Sequence, residues 1–334
     1  MRICVYGAGV MGGLLGAGLA RAGQDVCLIA RGAHLAAIRA EGLRIRGGAH
    51  TYSVPLEASS DPADFGPQDL VIVSTKTPAL PEIANRIGVL LGPDTLVAFA
   101  NNGVFWFYGD GFTPNGLKLD TDRLDPSGAL HAAIEPRRLL GMVCYPGGAI
   151  NEPGVIDTST PGRYVVGAAM KETINRANTL FAAIDVKDFD IVTTDDIRQT
   201  MWPKYLTVVG HHAIAALTGG NMSQYWNNPA IRKVAVSMME EAAAVAAAHG
   251  YRDLGLDFAK LRAQGGTSTH RPSMLQDLER GRQMEIDAQY LVLQDLARQS
   301  GVETPILDTL VPLLVQRAQL AGCYSAPGST ADIA

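Results

Sequence analysis

The sequence predicts an α/β protein in which a doubly wound parallel sheet is followed by an all-helical domain. Three observations support this. A glycine-rich loop directly follows the first apolar strand, and strands then alternate with helical segments over about 100 residues. After about residue 195 helical periodicity dominates. We therefore expect two domains, residues 1–195 and residues 196–334.

The N-terminal elements follow from apolar runs separated by helical periodicity. The expected strands are 3–6, 26–30, 70–74 and 95–100, with helices over 11–22 and 33–41. Nearly uninterrupted apolar strands are typical of a parallel sheet covered on both faces. Shorter strands are expected at 141–145 and 163–166.

The C-terminal elements are helices. They are expected over 196–217, 229–249, 274–299 and 304–321. The alanine-rich stretch 242–248 suits either the core or a dimer contact. Residues 105–136 form an irregular insertion of the length that functional loops have. We expect its aromatic stretch, 105–112, to form a small satellite core rather than a lid.

Composition excludes several classes of protein. Of the 334 residues, 47% are hydrophobic and 18% are charged, so the chain can bury large cores and is not intrinsically disordered. A net charge of −5 argues against a nucleic-acid binder. The four cysteines are far apart and form no C-x-x-C motif, which indicates neither a disulfide framework nor a metal site. With no targeting signal and no long apolar stretch, we expect a cytoplasmic protein without a membrane partner.

The first motif is G-x-G-x-x-G, in the sequence Gly7-Ala8-Gly9-Val10-Met11-Gly12. It lies between a predicted strand and a predicted helix, as a Rossmann-like dinucleotide site requires. Gly7 would allow the tight turn, Gly9 a close approach to a pyrophosphate, and Gly12 close helix–strand packing. The helix N-terminus would then hold the anion.

Polar residues at three further strand ends suggest the rest of the cofactor site. Arg31 follows the second strand, where an NAD-preferring fold usually carries Asp or Glu. Because a guanidinium suits a 2′-phosphate, NADP is favoured over NAD. Lys76 could neutralise cofactor phosphate, and Asn102 could orient a nicotinamide or a substrate carbonyl. A solvated lysine and a turn asparagine are the ordinary alternatives.

The helical half contains two candidate segments. Lys204, Val208, His211 and His212 share one helical stripe, which could bind and protonate an anionic carbonyl compound, although lysines are mostly exposed.

The second candidate segment is 273–287. There we expect Ser273 to cap a helix and Glu279 to pair with Arg282 on a solvated face. Glu285, between Met284 and Ile286, could face a semi-buried site.

Together these residues resemble the ketopantoate reductase (2-dehydropantoate 2-reductase) family. The motifs that carry the resemblance are the glycine loop, Arg31, Thr75-Lys76, Asn102-Gly103, Gly154-Val155-Ile156, Trp202-Pro203-Lys204, Ser273-Met274-Leu275-Gln276-Asp277 and Glu285-Ile286-Asp287. The family reduces a 2-keto acid with NADPH, using a Rossmann domain and a helical domain.

The resemblance implies a role for each position. Residues 7–12 and Arg31 would bind NADP, with Lys76, Asn102 and Ala149 completing the cofactor site. Lys204 matches the proton donor, Ser273 a substrate-binding serine, and Glu285 the acidic residue near the cofactor ribose.

Two positions depart from the family pattern. Val208 and His212 stand where the family usually has substrate-contacting asparagines, and His212 could contact the substrate instead. The predicted function is NADPH-dependent reduction of ketopantoate to pantoate, as in pantothenate biosynthesis, by an enzyme that could be a homodimer. The alternatives are an NADPH-dependent reductase of the same fold acting on a different 2-keto or 2-hydroxy acid, and a non-catalytic NADP sensor.

Overall fold

The computed structural model describes residues 1–47, 50–111, 113–158 and 162–325. The chain forms two compact units. The first comprises Met1–Asn101 and Gly128–Thr200, and the second comprises Asn102–Ser127 and Met201–Ala334. The predicted domains, 1–195 and 196–334, differ from these units because they assign residues 102–127 to the first domain. The predicted domain boundary stays a prediction.

Two sheets form the first unit. The strands of the large sheet, numbered along the chain, are β1 (Arg2–Tyr6), β2 (Asp25–Ile29), β5 (Glu57–Ser59), β6 (Gln68–Val73), β7 (Leu91–Phe99), β8 (Leu139–Cys144), β11 (Gly162–Ala168) and β12 (Phe189–Thr194). Those of the small sheet are β3 (Leu43–Gly47), β4 (His50–Val54), β9 (Gly148–Glu152) and β10 (Val155–Thr158).

The large sheet has the strand order β12-β11-β8-β7-β6-β1-β2-β5. From β5 to β8 all neighbours are parallel, and β11 is antiparallel to β8. Chain order reverses between β1 and β6, which is where doubly wound sheets bind ligands beyond the carboxyl ends of their strands. The predicted α/β class is confirmed.

The helices of the first unit cover the sheet and complete its core. They are α1 (Val10–Arg21), α2 (Gly32–Glu41), α3 (Leu80–Ala84), α4 (Ala129–Ala133) and α5 (Ile174–Ala182). Ile3, Val5, Leu70 and Ile72 are fully buried in this core. Their burial accounts for the uninterrupted apolar runs in the sequence.

The small sheet was not predicted. Its strand β3 alternates buried Leu43 and Ile45 with exposed Arg44 and Arg46. Such a strand has one buried face, and five residues give too short a pattern to stand out.

The second unit is helical. Its helices are α6 (Ile197–Thr218, which begins in the first unit), α7 (Met222–Trp226), α8 (Pro229–His249), α9 (Phe258–Ala263), α10 (Ser273–Glu279), α11 (Val292–Gln299) and α12 (Pro305–Leu320). In the described ranges, no helix is long and apolar enough to cross a membrane.

The predicted single helix over 274–299 is wrong. After α10 the chain leaves the helix through Gly281, whose φ of +62° lies in the left-handed region. A π-helix, Asp287–Leu291, then precedes α11. Ser273 is the first residue of α10, and Pro272 occupies the N-cap position predicted for Ser273. The predicted Glu279–Arg282 pair is also absent among the described ion pairs: Glu279 bonds to Arg271, and Arg282 to Asp277.

The aromatic stretch at the start of the insertion belongs to the second unit. Phe105, Trp106, Phe107 and Tyr108 are all buried, as expected for a satellite core, whereas Phe112 lies outside the described residues. In the alanine-rich part of α8, residues 242, 245 and 246 are fully buried in the same way.

Candidate functional site

The glycine loop joins β1 to α1. Gly7 has a φ of +112°, a conformation that L-residues with side chains rarely adopt. A Cβ at Gly12 would lie 2.0 Å from the Gly7 carbonyl oxygen, so this position allows close packing. A Cβ at Gly9 would meet no atom of the described residues within 4 Å. The backbone at Gly9 therefore faces open space, and the loop fits a pyrophosphate on the N-terminus of α1.

The end of β6 supports this loop from the neighbouring strand. Ser74 Oγ donates a 2.7 Å hydrogen bond to the Gly7 carbonyl oxygen, and Thr75 packs against Gly7. Asn101 donates to the Thr75 carbonyl oxygen. Because β1 and β6 are neighbours at the point where chain order reverses, these contacts fix the loop at the expected ligand position.

His34, which sequence reasoning missed, fastens the loop from the other side. Its Nδ1 accepts a 2.9 Å hydrogen bond from the Gly154 N–H, so its Nε2–H donates to the Ala8 carbonyl oxygen at 2.8 Å. Burial lowers the pKa of His34 and favours this neutral form. A lone histidine in a helix carries no sequence signal for such a role.

The other predicted cofactor residues of the first unit are placed around this loop. Arg31 is the N-cap residue of α2, and its guanidinium bonds to Glu82 on α3. Lys76 is partly buried and precedes the 3-10 helix Thr77–Ala79. Ala149 lies on β9 beside Gly148, where a Cβ would be 2.9 Å from a methyl group of Val10.

In the second unit, buried aromatic side chains hold α6 on either side of Lys204. The Trp202 indole N–H donates to the Tyr108 hydroxyl at 3.2 Å, and the Tyr205 hydroxyl donates to the Gln289 carbonyl oxygen at 2.9 Å. Trp202 and Tyr205 are at most 2% exposed. They leave Lys204 on a partly exposed face of the helix.

Lys204 and Asn102 lie together in the second unit. The Lys204 ammonium donates to Asn102 Oδ1 at 3.0 Å. Since the amide oxygen accepts this bond, the Nδ2 group of Asn102 is the part that can donate to a ligand. An ammonium group and an amide donor are thus adjacent.

The residue after Asn102 fixes its position. Gly103 has a φ of +92°, and a Cβ there would lie 2.2 Å from the Ala288 carbonyl oxygen. The Val104 N–H donates to that same oxygen at 2.9 Å. A glycine at position 103 is therefore required for the chain to approach the π-helix this closely.

His212 and Glu285 are linked through Gln289, which sequence reasoning also missed. Gln289 Nε2 donates to Glu285 Oε2 at 3.3 Å, and Gln289 Oε1 lies 2.8 Å from His212 Nδ1. The amide oxygen can only accept, so His212 Nδ1 carries the proton and its Nε2 carries a lone pair. Burial, with smaller effects from His211 and Lys204, lowers the pKa of His212 to about 3. The ring is therefore neutral at physiological pH.

Tyr290, on the same π-helix, reaches into the backbone of α6. Its hydroxyl accepts from the Ala213 N–H at 2.7 Å and donates to the Val209 carbonyl oxygen at 3.1 Å. A side chain inserted in this way interrupts the helical ladder. The two backbone groups that Tyr290 bonds, the Val209 carbonyl and the Ala213 N–H, lie on either side of His212 in the chain.

The side chains of His211, Val208 and Ser273 belong to none of the hydrogen bonds described above. His211 bonds to the Tyr225 hydroxyl at 3.0 Å, and burial lowers its pKa to about 4. Val208 is buried at 5% exposure. Ser273 is partly exposed, and His270, three residues earlier, acts electrostatically on His211 and His212.

The structure thus divides the predicted site residues between the units. Asn102, Lys204, His212 and Glu285 lie in the second unit, joined in two hydrogen-bonded groups that both include a residue of α6. The predicted cofactor residues Asn102 and Glu285 therefore belong to a different unit from the glycine loop, Arg31, Lys76 and Ala149.

Family comparisons match both ends of the chain. Residues 3–107 match the ketopantoate reductase PanE/ApbA family, and residues 196–318 match the C-terminal part of that family. The 2-dehydropantoate 2-reductase of Mesorhizobium japonicum is 36% identical over 329 residues, which cover 97% of this chain and 100% of the relative. The chain belongs to the ketopantoate reductase family. It is an oxidoreductase, and as a family member it is a keto acid reductase.

Solved structures of similar fold include other ketopantoate reductases. The 2-dehydropantoate 2-reductase of Geobacter metallireducens is 26% identical, with a TM-score of 0.80, over 95% of this chain and 99% of that chain. A D-mandelate dehydrogenase solved with NADH and anilino(oxo)acetate has a TM-score of 0.81 at 20% identity, over 97% of this chain and 100% of that chain. The second likeness concerns the fold alone.

Proposed function

We propose that this ketopantoate reductase family member uses NADPH to reduce ketopantoate to pantoate, with Lys204 as the proton donor. The observation that carries the proposal is the 3.0 Å hydrogen bond from Lys204 Nζ to Asn102 Oδ1. It supports a site in which a cation and an amide donor act together on a carbonyl oxygen.

The first unit would hold the cofactor. Gly9 and the N-terminus of α1 suit the pyrophosphate, Arg31 a 2′-phosphate, and Lys76 and Ala149 would complete the binding surface. When bound, NADPH supplies a hydride. Glu285 would bind the cofactor ribose, as the family resemblance implies.

The second unit would perform the proton chemistry. As hydride adds to the carbonyl carbon, the C=O π electrons move to oxygen, and Lys204 stabilises the developing alkoxide and gives it a proton. Lys204 then recovers a proton from solvent. Asn102 would orient the carbonyl or the nicotinamide, while Ser273 and His212 would bind the substrate.

A second candidate is the reduction of another 2-keto acid. It is favoured by Val208, which is buried and offers no amide, and by His212, whose neutral ring replaces a second amide. Both positions usually hold substrate-contacting asparagines in the family, so the difference concerns the substrate rather than the reaction.

Steady-state oxidation of NADPH and of NADH across a panel of keto acids tests the proposal. We expect the highest kcat/KM with NADPH and ketopantoate, and Lys204→Ala should lower kcat by roughly 10²- to 10⁴-fold while NADPH binding stays nearly unchanged. Lys260→Ala, which removes an exposed lysine of α9, is the control. Normal turnover by Lys204→Ala would refute the assignment, and NADPH binding without turnover on any keto acid would indicate a sensor.

A further inference from the structure

Two arginines of the first unit share one carboxylate. Arg31 Nη2 bonds to Glu82 Oε1, and Arg86 Nη1 lies 3.9 Å from the same oxygen. Arg86 Nη2 also bonds to Asp61 Oδ1 at 3.0 Å. Glu82 therefore places its charge between two guanidinium groups, next to the end of β2.

The position of this cluster points to a ligand. Arg31 directly follows β2, where dinucleotide-binding folds recognise the ribose 2′ position. The carboxylates and guanidinium groups are all about one-third exposed or more, with exposed fractions of 57% for Arg31, 48% for Glu82 and 34% for Arg86. Ion pairs this exposed contribute little to stability, so the pair can open for a stronger anion.

A buried hydroxyl lies near the same cluster. Tyr6, the last residue of β1, is 1% exposed, and its hydroxyl has no hydrogen-bond partner among the described residues. Burial raises the pKa of Tyr6, while the charges of Arg86 and Arg31 lower it. The charges of the two guanidinium groups therefore act on this hydroxyl, which is a buried donor without a described partner.

We propose that Glu82 occupies the place of the 2′-phosphate, and that this phosphate displaces it to bind between Arg31 and Arg86. The inference rests on the proposed use of NADPH. It adds two residues that the sequence motifs did not indicate: Arg86 as a second phosphate ligand and Glu82 as an internal competitor. A phosphate dianion can accept from both guanidinium groups at once, whereas the carboxylate bonds to Arg31 and lies farther from Arg86.

Glu82 then controls the choice between cofactors. While the Glu82 carboxylate stays between the arginines, it can accept a hydrogen bond from a ribose 2′-hydroxyl, as acidic residues do in NAD-binding folds. When it is displaced, the two arginines face a phosphate. Removing the carboxylate should therefore favour the phosphorylated ribose specifically.

Binding of two nucleotide fragments tests this without catalysis. Adenosine 2′,5′-bisphosphate and 5′-AMP differ only in the 2′-phosphate, and calorimetric titration of the full chain gives Kd for each. We expect Glu82→Gln to tighten bisphosphate binding about 5-fold, because the phosphate no longer competes with a carboxylate for the arginines. Arg86→Met should weaken it about 10-fold, because one charge-assisted hydrogen bond to the phosphate is lost. Binding of 5′-AMP should change less than about 2-fold in both variants by the same reasoning.

Matched controls come from another exposed pair. Arg44 and Glu41 form an ion pair on the same unit, with exposed fractions of 46% and 72%. Arg44→Met and Glu41→Gln should leave both Kd values unchanged. Because all four substituted side chains are at least one-third exposed, the variants should fold, and their thermal midpoints check this.

The outcomes separate this inference from the proposed function. If the wild-type chain prefers the bisphosphate through Arg31 while Arg86→Met and Glu82→Gln have no effect, the inference is wrong and NADPH use stands. Weaker bisphosphate binding by Glu82→Gln would also overturn it. If the wild-type chain binds both fragments equally and Arg31→Met has no effect, both the inference and NADPH use fail.

Discussion

The ammonium of Lys204 lies 3.0 Å from Oδ1 of Asn102, although 102 residues separate the two in the chain. The contact restrains a flexible lysine side chain, and its acceptor is an uncharged amide oxygen. It also orients the Asn102 amide, because the oxygen is engaged by the lysine.

Replacing Asn102 by Asp tests the contact with Lys204. The new carboxylate would form an ion pair with Lys204, and the lysine ammonium would then release its proton less readily. We therefore expect kcat to fall about 10- to 100-fold, within the range of a general-acid contribution. The high-pH limb of the pH–rate profile should move to higher pH. An unchanged profile would show that Lys204 is not the group that titrates.

The glycine loop offers a pair of substitutions with opposite expected outcomes. Gly12→Ala places a Cβ 2.0 Å from the Gly7 carbonyl oxygen and should destabilise the fold by about 1–3 kcal/mol through overpacking. In Gly9→Ala the Cβ meets open space in the described structure, so the fold should tolerate it while NADPH affinity drops at least about 10-fold.

Thermal unfolding and cofactor titration of both variants distinguish these effects. If Gly9→Ala binds NADPH as the wild type does, the pyrophosphate does not approach this backbone.

The neutral ring of His212 predicts a preference for substrates that carry a hydroxyl. Its proton is on Nδ1, toward Gln289, so Nε2 can only accept a hydrogen bond. Ketopantoate carries a hydroxyl that 3,3-dimethyl-2-oxobutanoate lacks, and the two are otherwise identical. His212→Phe should lower kcat/KM for ketopantoate about 10-fold or more, since an uncompensated polar group is costly in a closed site.

The value for the analogue without the hydroxyl should change little in His212→Phe. Gln289→Leu should also reduce the ratio of kcat/KM for ketopantoate to kcat/KM for the analogue, because the His212 ring would no longer be held in one tautomer. Equal losses on both substrates would mean that His212 has a structural role only.

Stability should fall as the pH drops below about 6.5. Burial lowers the pKa to about 4 for His211, to about 3 for His212 and to about 4 for His249. Between these values and 6.5 the unfolded chain binds protons that the folded chain does not. Each histidine therefore removes up to about 1.4 kcal/mol of stability per pH unit. Above pH 6.5 the three histidines are neutral in both the folded and the unfolded chain, so they remove no stability there.

Urea unfolding followed by tryptophan fluorescence measures this effect, because Trp106, Trp202 and Trp226 all belong to the second unit, as the three histidines do. His211→Gln should reduce the pH slope between 4 and 6.5, since it removes one of the groups with a lowered pKa. An equal slope in the wild type and in His211→Gln would contradict this pH dependence.

The sequence by itself determined six of the eight strands of the large sheet, the glycine loop and the long helices α6, α8 and α12. The fully buried strands leave apolar runs that are visible without a partner, and a glycine loop between a strand and a helix has a local physical reason. Helix α8 runs over the residues that its periodicity predicts, from Pro229 to His249. The break after α10 was missed because the polar residues around Gly281 continue a plausible helical face.

Only the tertiary structure decided which side chains meet. Nothing in the sequence indicates that His34 holds Ala8, that Gln289 joins His212 to Glu285, or that Glu82 lies between Arg31 and Arg86. Local pattern reports the burial of an element, because burial repeats with the period of the strand or helix. Side-chain partners depend instead on how elements that are distant in the chain pack together. A single polar residue forms no periodic pattern, so the sequence does not show which partner it meets.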